Sequence, residues 1–531
     1  MVATRNKPIV VVGAGLAGLT AAIHLAERGL DVVLLEAHPE FLGGRTRGRR
    51  PYRFTWNGVE HEHSFDHGQH CLWAQYWNMR TLLARLGLDG NVRSCETTRY
   101  LVDDGALVHR LQPFDVDPAR PPRSLLHFLM HLAAATRVPG WSTIDTAQLA
   151  TALPRLAATW AFDHGAEYDA WDQMSVCEMF AWIGLPPQME QIFKSMCKAS
   201  TFHSHTEISA SWGLSMMATT MIGHATDHKM SCFRGDLGSH LIDPLAAALR
   251  ARGGRILRNA KAVGVDRDGD RIFAVHVAPT VAASGPEVLD APVRVLCEAV
   301  VGATDIPGFQ KWLLPSLAEV PSIRGAANLE AVGSVTTRVV TSRPVRADDP
   351  QMGIFSGAFR TLDTYFLLSR YQDEFIEFRR RTGGEVIELH TYLASRELEA
   401  SSPETRRALV EHEVLRAWPE LAGAIVHVES EANERTFDKQ AVGHARFQPR
   451  MRPCAEVPNL VLCGSWIRTD EAVHDMEKAV VTGLRAANAL LEERALSPFP
   501  IQPLRPRGAL QRLAAQLTKR LPRPRGVSLL G

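Results

Sequence analysis

The chain has 531 residues, is 45% hydrophobic and 22% charged, and carries a formal net charge of +1. Its length exceeds one ordinary core and predicts two interleaved domains. The near-zero charge excludes a global attraction to nucleic acid, and the absence of any apolar run of roughly eighteen residues or more excludes a helix spanning a bilayer. Eight cysteines at 71, 95, 177, 197, 232, 297, 454 and 463 show no CxxC pair and no zinc-like spacing, so they read as reduced thiols of a cytoplasmic protein. A strand begins within the first few residues, which leaves no room for a signal peptide.

That strand opens the most informative stretch. Ile9, Val10, Val11 and Val12 form a β-branched run suited to a parallel strand buried on both faces. The turn Gly13-Ala14-Gly15-Leu16-Ala17-Gly18 follows and leads into a helix. Gly13 permits the tight turn, Gly15 lets the backbone approach a pyrophosphate, and Gly18 with Ala22 lets the helix pack close to the strand. The anion sits on the amides at the helix N-terminus. Asp31-Val32-Val33-Leu34-Leu35 is a second strand that ends at Glu36, whose carboxylate suits a ribose diol and argues against a 2′-phosphate. FAD or NAD is therefore expected, with a merely structural βαβ unit as the alternative.

Phe41-Leu42-Gly43-Gly44-Arg45 comes next, a glycine turn whose Arg45 offers donors to a phosphate. The spacing from Glu36 to Gly43-Gly44-Arg45 resembles the flavin amine oxidase and phytoene desaturase superfamily. That resemblance extends from residue 8 to about residue 492 and implies an α/β fold. A Rossmann-type FAD-binding domain is expected, interleaved with a substrate domain of mixed antiparallel sheet and helices. Residues 1–75, 231–310 and 446–495 are expected to build the FAD-binding domain. Residues 76–230 are expected to form a mainly helical substrate and membrane-facing part, 311–445 the sheet and helices of the substrate domain, and 496–531 a basic amphipathic tail.

Histidines and acids crowd the stretch from Val59 to His70. An alternating strand sends His61 and His63 to one face and leaves Asp66-His67-Gly68-Gln69-His70 pointing elsewhere, so no metal is assigned. The resemblance implies that this loop runs beside the isoalloxazine ring, with Gly68 allowing close approach and Gln69 or His70 facing flavin or substrate. Loop histidines held by hydrogen bonds are the other reading. Tyr76 to Leu83 begins a helix. Within 121–136, Leu125 to Leu132 is more apolar than a solvent-facing helix and reads as core packing or as a greasy entrance taking lipid from a membrane. Leu214 to Met221 is methionine-rich and makes an adaptable apolar wall or core filling.

Residues 241–252 read as a helix, followed by strands near 255–258, 262–265, 272–277 and 299–304. By resemblance, the backbone at Ala262 reaches the adenine. Strand-like runs at 335–340, 364–368 and 386–392 suit an antiparallel sheet flooring a substrate cavity. By resemblance, amine oxidases carry a lysine on the strand at 335–340, where this chain has Arg338. A buried strand ends at Gly464, and a helix beginning near Met476 points its positive end beyond it. The resemblance places Gly464, Ser465, Val473 and Met476 at the flavin, with Ser465 replacing the acid usual in the family. The tail beyond Glu493 has no acid and eight basic residues, with Leu510, Leu513, Leu517 and Leu521 on one helical face. It reads as an anchor to anionic lipid or as a disordered solubilising tail.

Within the superfamily, Asp66 to His70, Tyr76 to Arg80, Glu207 to Ala210, Ala303 to Gly308 and Met476 to Ala479 with Thr482 and Gly483 look most like isorenieratene synthase-like carotenoid desaturases. The loop at Gly68 to His70 also resembles hydroxysqualene dehydroxylases. The resemblance implies an apolar isoprenoid substrate, non-covalent FAD and hydride transfer to flavin N5, with proton loss either assisted by His70 or Glu477 or needing no dedicated base, since a hydrocarbon cation is itself acidic. The alternatives are an FAD-dependent amine oxidase, a hydroxysqualene dehydroxylase-like enzyme and a non-catalytic flavin- or lipid-binding protein.

Overall fold

Ile9–Val12 forms a strand buried on both faces, as a β-branched apolar run should. In this computed structural model, which describes residues 7–48, 50–95, 99–111, 146–185, 187–220, 229–392, 395–452, 456–503, 509–518 and 521, that strand is the centre of a five-stranded parallel sheet. The order is Arg255–Leu257, Val32–Leu35, Ile9–Val12, Ala299–Gly302, Leu460–Leu462. Alternation divides the central strand between two cores. Ile9 and Val11 pack with Leu19, Ile23, Val480 and Leu484 of the helices Leu16–Glu27 and Asp475–Glu492. Val10 and Val12 pack with Ile272, Val275, Phe309 and Trp312 on the opposite face. The two helices meet closely because residue 483 is a glycine: a Cβ there would lie 2.5 Å from the Ala17 carbonyl oxygen.

A seven-stranded sheet lies beside this unit, in the order Ile425–Ala432, Ser334–Thr341, Glu385–Tyr392, Thr364–Leu367, Met352–Gly357, Arg99–Asp103, Val108–Leu111. The expected runs at 335–340, 364–368 and 386–392 are three of its strands. One face packs Val339, Tyr365, Ile387 and Leu389 against Val410, Val414 and Trp418, under the helix Pro403–Ala417. The other face is turned toward the parallel sheet and floors a cavity.

The expectation of a mainly helical segment over 76–230 is corrected in part. Arg99–Asp103 and Val108–Leu111 join the seven-stranded sheet, the former parallel to Met352–Gly357. The partners lie far apart in sequence, so no local pattern announces the pairing. Helices Thr146–Trp160, His164–Trp171, Val176–Ile183, Pro187–Thr201 and Ala210–Thr220 follow and enclose a core rich in Trp, Phe and Met. The stretch 121–136 and most of the tail at 503–531 lie outside the described residues. Within the tail, Ala509–Thr518 is helical, with Ala514 buried against the helical core while Leu513 and Leu517 are exposed. No described helix is long and apolar enough to cross a membrane.

The seven described cysteines are free thiols. A small three-stranded sheet gathers three of them, with the Cys232 sulfur 3.4 Å from that of Cys71 and 2.7 Å from that of Cys95.

Candidate active site

The carboxyl ends of the parallel strands open into a cavity of about 1000 Å³ that continues over the floor of the seven-stranded sheet. Its first wall is the glycine turn. Gly13 has φ +104°, and a Cβ there would lie 2.8 Å from the Ala303 carbonyl oxygen. Gly18 is excluded from the lining but sets the packing: its Cβ would lie 1.9 Å from the Gly13 carbonyl oxygen. The helix Leu16–Glu27 starts at Gly15 with no side-chain cap, so its positive end, at Gly15, Leu16 and Ala17 on the cavity wall, is open to an anion. Ala14 is fully buried, and its N–H donates to Glu36 Oε2 at 3.0 Å. Glu36 also accepts from His38 N–H at 2.9 Å. Burial raises its pKa, and those amides oppose the shift. Ala262 lies on the same wall. These groups fit a dinucleotide: a turn that excludes side chains, an uncapped helix end for the pyrophosphate, and a carboxylate beyond the second strand.

Gly43 and Gly44, with φ +110° and +54°, continue the wall to Arg45. Arg45 donates to Ser465 Oγ at 2.5 Å and to Asp438 Oδ1 at 3.1 Å, and Ser465 Oγ donates to the same Asp438 oxygen at 2.8 Å. Asp438 thus holds both Arg45 and Ser465 from behind, away from the cavity wall. Burial works against the charge of Asp438, but Arg45 and Lys478 hold its carboxyl below the usual range. Asp438 sits on the two-residue strand Phe437–Asp438, a piece too short to leave a periodic signal.

The helix Asp475–Glu492 also begins without a side-chain cap, and Asp475, Met476 and Ala479 face the cavity near Gly464 and Ser465. Besides Ala14 and Gly18, two expected residues of this region are not on the wall. Val473 is buried and absent from the lining. Glu477, expected as a proton acceptor, is turned away by the helical repeat. Its carboxylate accepts from Asn78 N–H at 2.9 Å, Asn78 Nδ2 at 2.8 Å and Met79 N–H at 2.9 Å, so it caps the helix Trp77–Arg85.

The loop 66–70 lies across the floor, and Gly68, Gln69 and His70 all line the cavity. His70 Nδ1–H donates to the Gly68 carbonyl at 2.7 Å, and burial lowers the ring's pKa to about 4. Gly68 has φ +136° and rests on His390, which is 3.4 Å from the site of a Cβ. The His67 carbonyl accepts from Asn433 Nδ2 at 2.8 Å and Thr336 Oγ1 at 3.3 Å.

Below the loop is a buried polar network that motif reading misses. Gln69 N–H donates to Glu388 Oε1 at 2.7 Å, Arg338 Nε donates to Glu388 Oε2 at 2.8 Å, and Arg338 also donates to the Ser64 carbonyl. Glu388 contacts His390 Nε2 at 2.8 Å, and His390 Nδ1 contacts Tyr392 Oη at 2.7 Å. Burial alone would raise the Glu388 pKa, yet Arg338 and His390 hold it at about 2. Arg338 is fully buried and does not reach the cavity; Thr336, two residues earlier on the same strand, does. The signal was present as Glu388, His390 and Tyr392 at period two along a fully buried strand.

The rest of the floor is apolar. Tyr100, Met352, Ile354 and Phe366 alternate out of the sheet, facing Met196, Met216 and Met230. Phe202, at φ +57°, stacks on Tyr392 with ring centroids 4.1 Å apart.

A doubly walled cavity at the carboxyl ends of a Rossmann-type parallel sheet, completed by a mostly antiparallel floor, defines a dinucleotide-dependent oxidoreductase. Residues 16–491 match the model of the flavin-containing amine oxidoreductases, and the chain belongs to that family. It is similar to a carotenoid phi-ring synthase of Chlorobaculum tepidum, at 24% identity over 94% of this chain and 91% of that protein. It is also similar to one of Streptomyces griseus, at 28% over 92% of this chain and 89% of that protein. A probable zeta-carotene desaturase of Synechococcus elongatus shares 23% over 92% and 99%. Among solved structures, putrescine oxidase bound to putrescine superposes with a TM-score of 0.63 at 17% identity, covering 92% of this chain and 99% of that one. Cyclohexylamine oxidase of Brevibacterium oxydans gives 0.61 at 15%, covering 92% and 100%. At those identities the likeness is one of fold.

Proposed function

We propose that this oxidoreductase binds FAD non-covalently and removes hydride from an allylic or ring C–H of an apolar isoprenoid of the carotenoid class. The observation that carries the substrate class is the floor: Tyr100, Met352, Ile354 and Phe366 facing three methionines make a wide, adaptable apolar surface. The full-length similarity to carotenoid phi-ring synthases supports the same reading. The flavin, when bound, supplies the two-electron chemistry. Gly13, Gly15, Leu16 and Ala17 receive the pyrophosphate, Glu36 the ribose and Ala262 the adenine, while Arg45, Ser465 and Met476 flank the ring end. Gly68 and Gln69 carry the loop along the ring, and His70 orients that loop as a neutral side chain. An amine oxidase reading loses support at Thr336, which occupies the cavity-facing strand position where no lysine stands.

The test is anaerobic mixing of the yellow protein with candidate substrates. An apolar cyclic polyene should bleach the flavin, and polyamines or aromatic amines should leave it oxidised; the reverse pattern would overturn the reading. Acid precipitation should release the yellow colour into the supernatant, whereas colour retained in the pellet would refute non-covalent binding.

A peripheral contact with anionic lipid through 503–531 and 121–136 completes the proposal. It is supported by the exposure of Leu513 and Leu517 beside the basic tail sequence. Liposome flotation with and without 503–531 tests it, and equal binding would remove the tail from the account.

A further inference from the structure

The floor is apolar except for one polar strip, where Thr336, Thr364, His390 and Tyr392 come to the cavity surface beneath Gly68. One of its contacts has a fixed sense, and two others follow from it for a ring that carries a single proton. Glu388 is ionised beside Arg338 and only accepts, so the His390 nitrogen 2.8 Å away, Nε2, carries the ring proton. A relay needs Nδ1 to be the lone pair, accepting from the Tyr392 hydroxyl 2.7 Å away. The Tyr392 oxygen is also 3.0 Å from Thr364 Oγ1, which donates to it in turn. The result is a carboxylate, an imidazole and a phenol in line, ending at the cavity wall. Glu388 is fully buried, and His390 and Tyr392 are about 5% exposed or less. Phe202, stacked on Tyr392, holds the phenol ring in place.

We propose that Tyr392, His390 and Glu388 form the relay that accepts the proton lost from the substrate next to the carbon that has given up hydride. The inference rests on the hydride-abstraction reading above. A flavin held by Gly13, Glu36 and Arg45 would supply the hydride acceptor, and loss of hydride with both electrons of its C–H bond would leave the substrate a delocalised cation. The neighbouring C–H bond then breaks, and its electron pair becomes the new π bond. Its proton goes to the Tyr392 oxygen as the phenol's own proton passes to His390 Nδ1. The imidazolium so formed is held by Glu388 through Nε2–H, and Arg338 and the Gln69 N–H keep that carboxylate in position. The same Glu388 oxygens therefore fix both the loop over the ring and the proton acceptor, which ties the two reacting ends to one group.

Two measurements test the relay. The first needs no turnover: nitrogen-15 spectra of histidine-labelled protein, with the His390 signals assigned by their loss in His390→Asn, should show a neutral ring protonated at Nε2. A ring protonated at Nδ1 alone would overturn the relay whatever the substrate. The second compares wild type with Tyr392→Phe, which keeps the stack on Phe202, after checking that flavin content and thermal unfolding are unchanged. Olefin formation should fall by ~100-fold or more, the usual scale of acid–base assistance. A deuterium isotope effect at the proton-losing carbon, silent in wild type, should emerge. A merely structural role would slow the reaction without exposing that isotope effect, and this outcome would refute the relay while leaving hydride abstraction intact. Failure of wild type to be reduced by any apolar polyene would instead refute the underlying reading, and the relay with it.

Discussion

Arg338 is the clearest place to test the buried network, through Arg338→Met. Glu388 is held at about 2 against 4.5 in the unfolded chain, so its ionised form contributes roughly 3 kcal/mol at neutral pH. That contribution is present above the unfolded value and is lost as pH falls toward 2. Removing the guanidinium strands the carboxylate in a fully buried site, where breaking an ion pair costs ~3–5 kcal/mol. Hydrogen exchange followed by mass spectrometry reads this locally, as the opening free energy of Ser334–Thr341 and Glu385–Tyr392. The variant should open more easily by that amount at about pH 7. Burial is then opposed only by His390 and the Gln69 N–H, so the folded Glu388 pKa rises and the folded sheet takes up a proton at a higher pH than in wild type. The deficit should therefore shrink on acidification, and adding Glu388→Gln should recover much of it. A deficit below ~1 kcal/mol at neutral pH, or one that does not change with pH, would refute the reasoning.

Gly18→Ala should abolish cofactor uptake, because its Cβ would meet the Gly13 carbonyl oxygen at 1.9 Å and force the turn open; the ratio of flavin to protein absorbance in the purified variant checks this. Asp438→Asn removes the carboxylate shared by Arg45 and Ser465 and should weaken FAD retention by ~10-fold or more, measured by reconstitution of apoprotein. Burial depresses His67 to about 3 and His70 to about 4, so the unfolded chain binds protons more readily than the folded one as pH falls below 6.5. Stability present above 6.5 is lost on the way down to about 3, and flavin fluorescence should appear over that window; release that is flat with pH would contradict it. Mild peroxide treatment should join Cys95 to Cys232 rather than Cys177 to any partner, as peptide mapping would report.

What the sequence makes legible follows from locality. The strand, glycine turn, helix and Glu36 sit within some thirty residues and obey one local geometry, so their roles could be read directly. The reach of Gly43, Arg45, Gly464 and Met476 to the same cavity came from resemblance. Asp438, by contrast, acts through Ser465 across a contact with no sequence spacing to mark it. Glu477 illustrates a different failure: it is an acid in the right turn of the right helix, but its neighbours 475, 476 and 479 face the cavity while it faces Asn78. Glu388, His390 and Tyr392 lie in a run legible as a strand, and their period-two alternation marks one polar face of it. Arg99–Asp103 was invisible because its parallel partner lies across the whole helical segment.

The order of strands in the parallel sheet also sets a timetable. Ile9–Val12 is made first but is flanked by Ala299–Gly302, and that strand by Leu460–Leu462. At ~5–20 residues per second, the ribosome needs roughly 20 to 90 s after making the central strand before it supplies the outermost one. During that time the nascent glycine turn has no opposite wall, and the edges of its strands are open to mispairing. On the proposed binding mode, the complete cofactor site exists only at the last stage of synthesis, after Gly464 and the helix that follows have emerged. A yellow molecule is in this way a proofread one, since bound flavin certifies that nearly the whole chain has been made and closed.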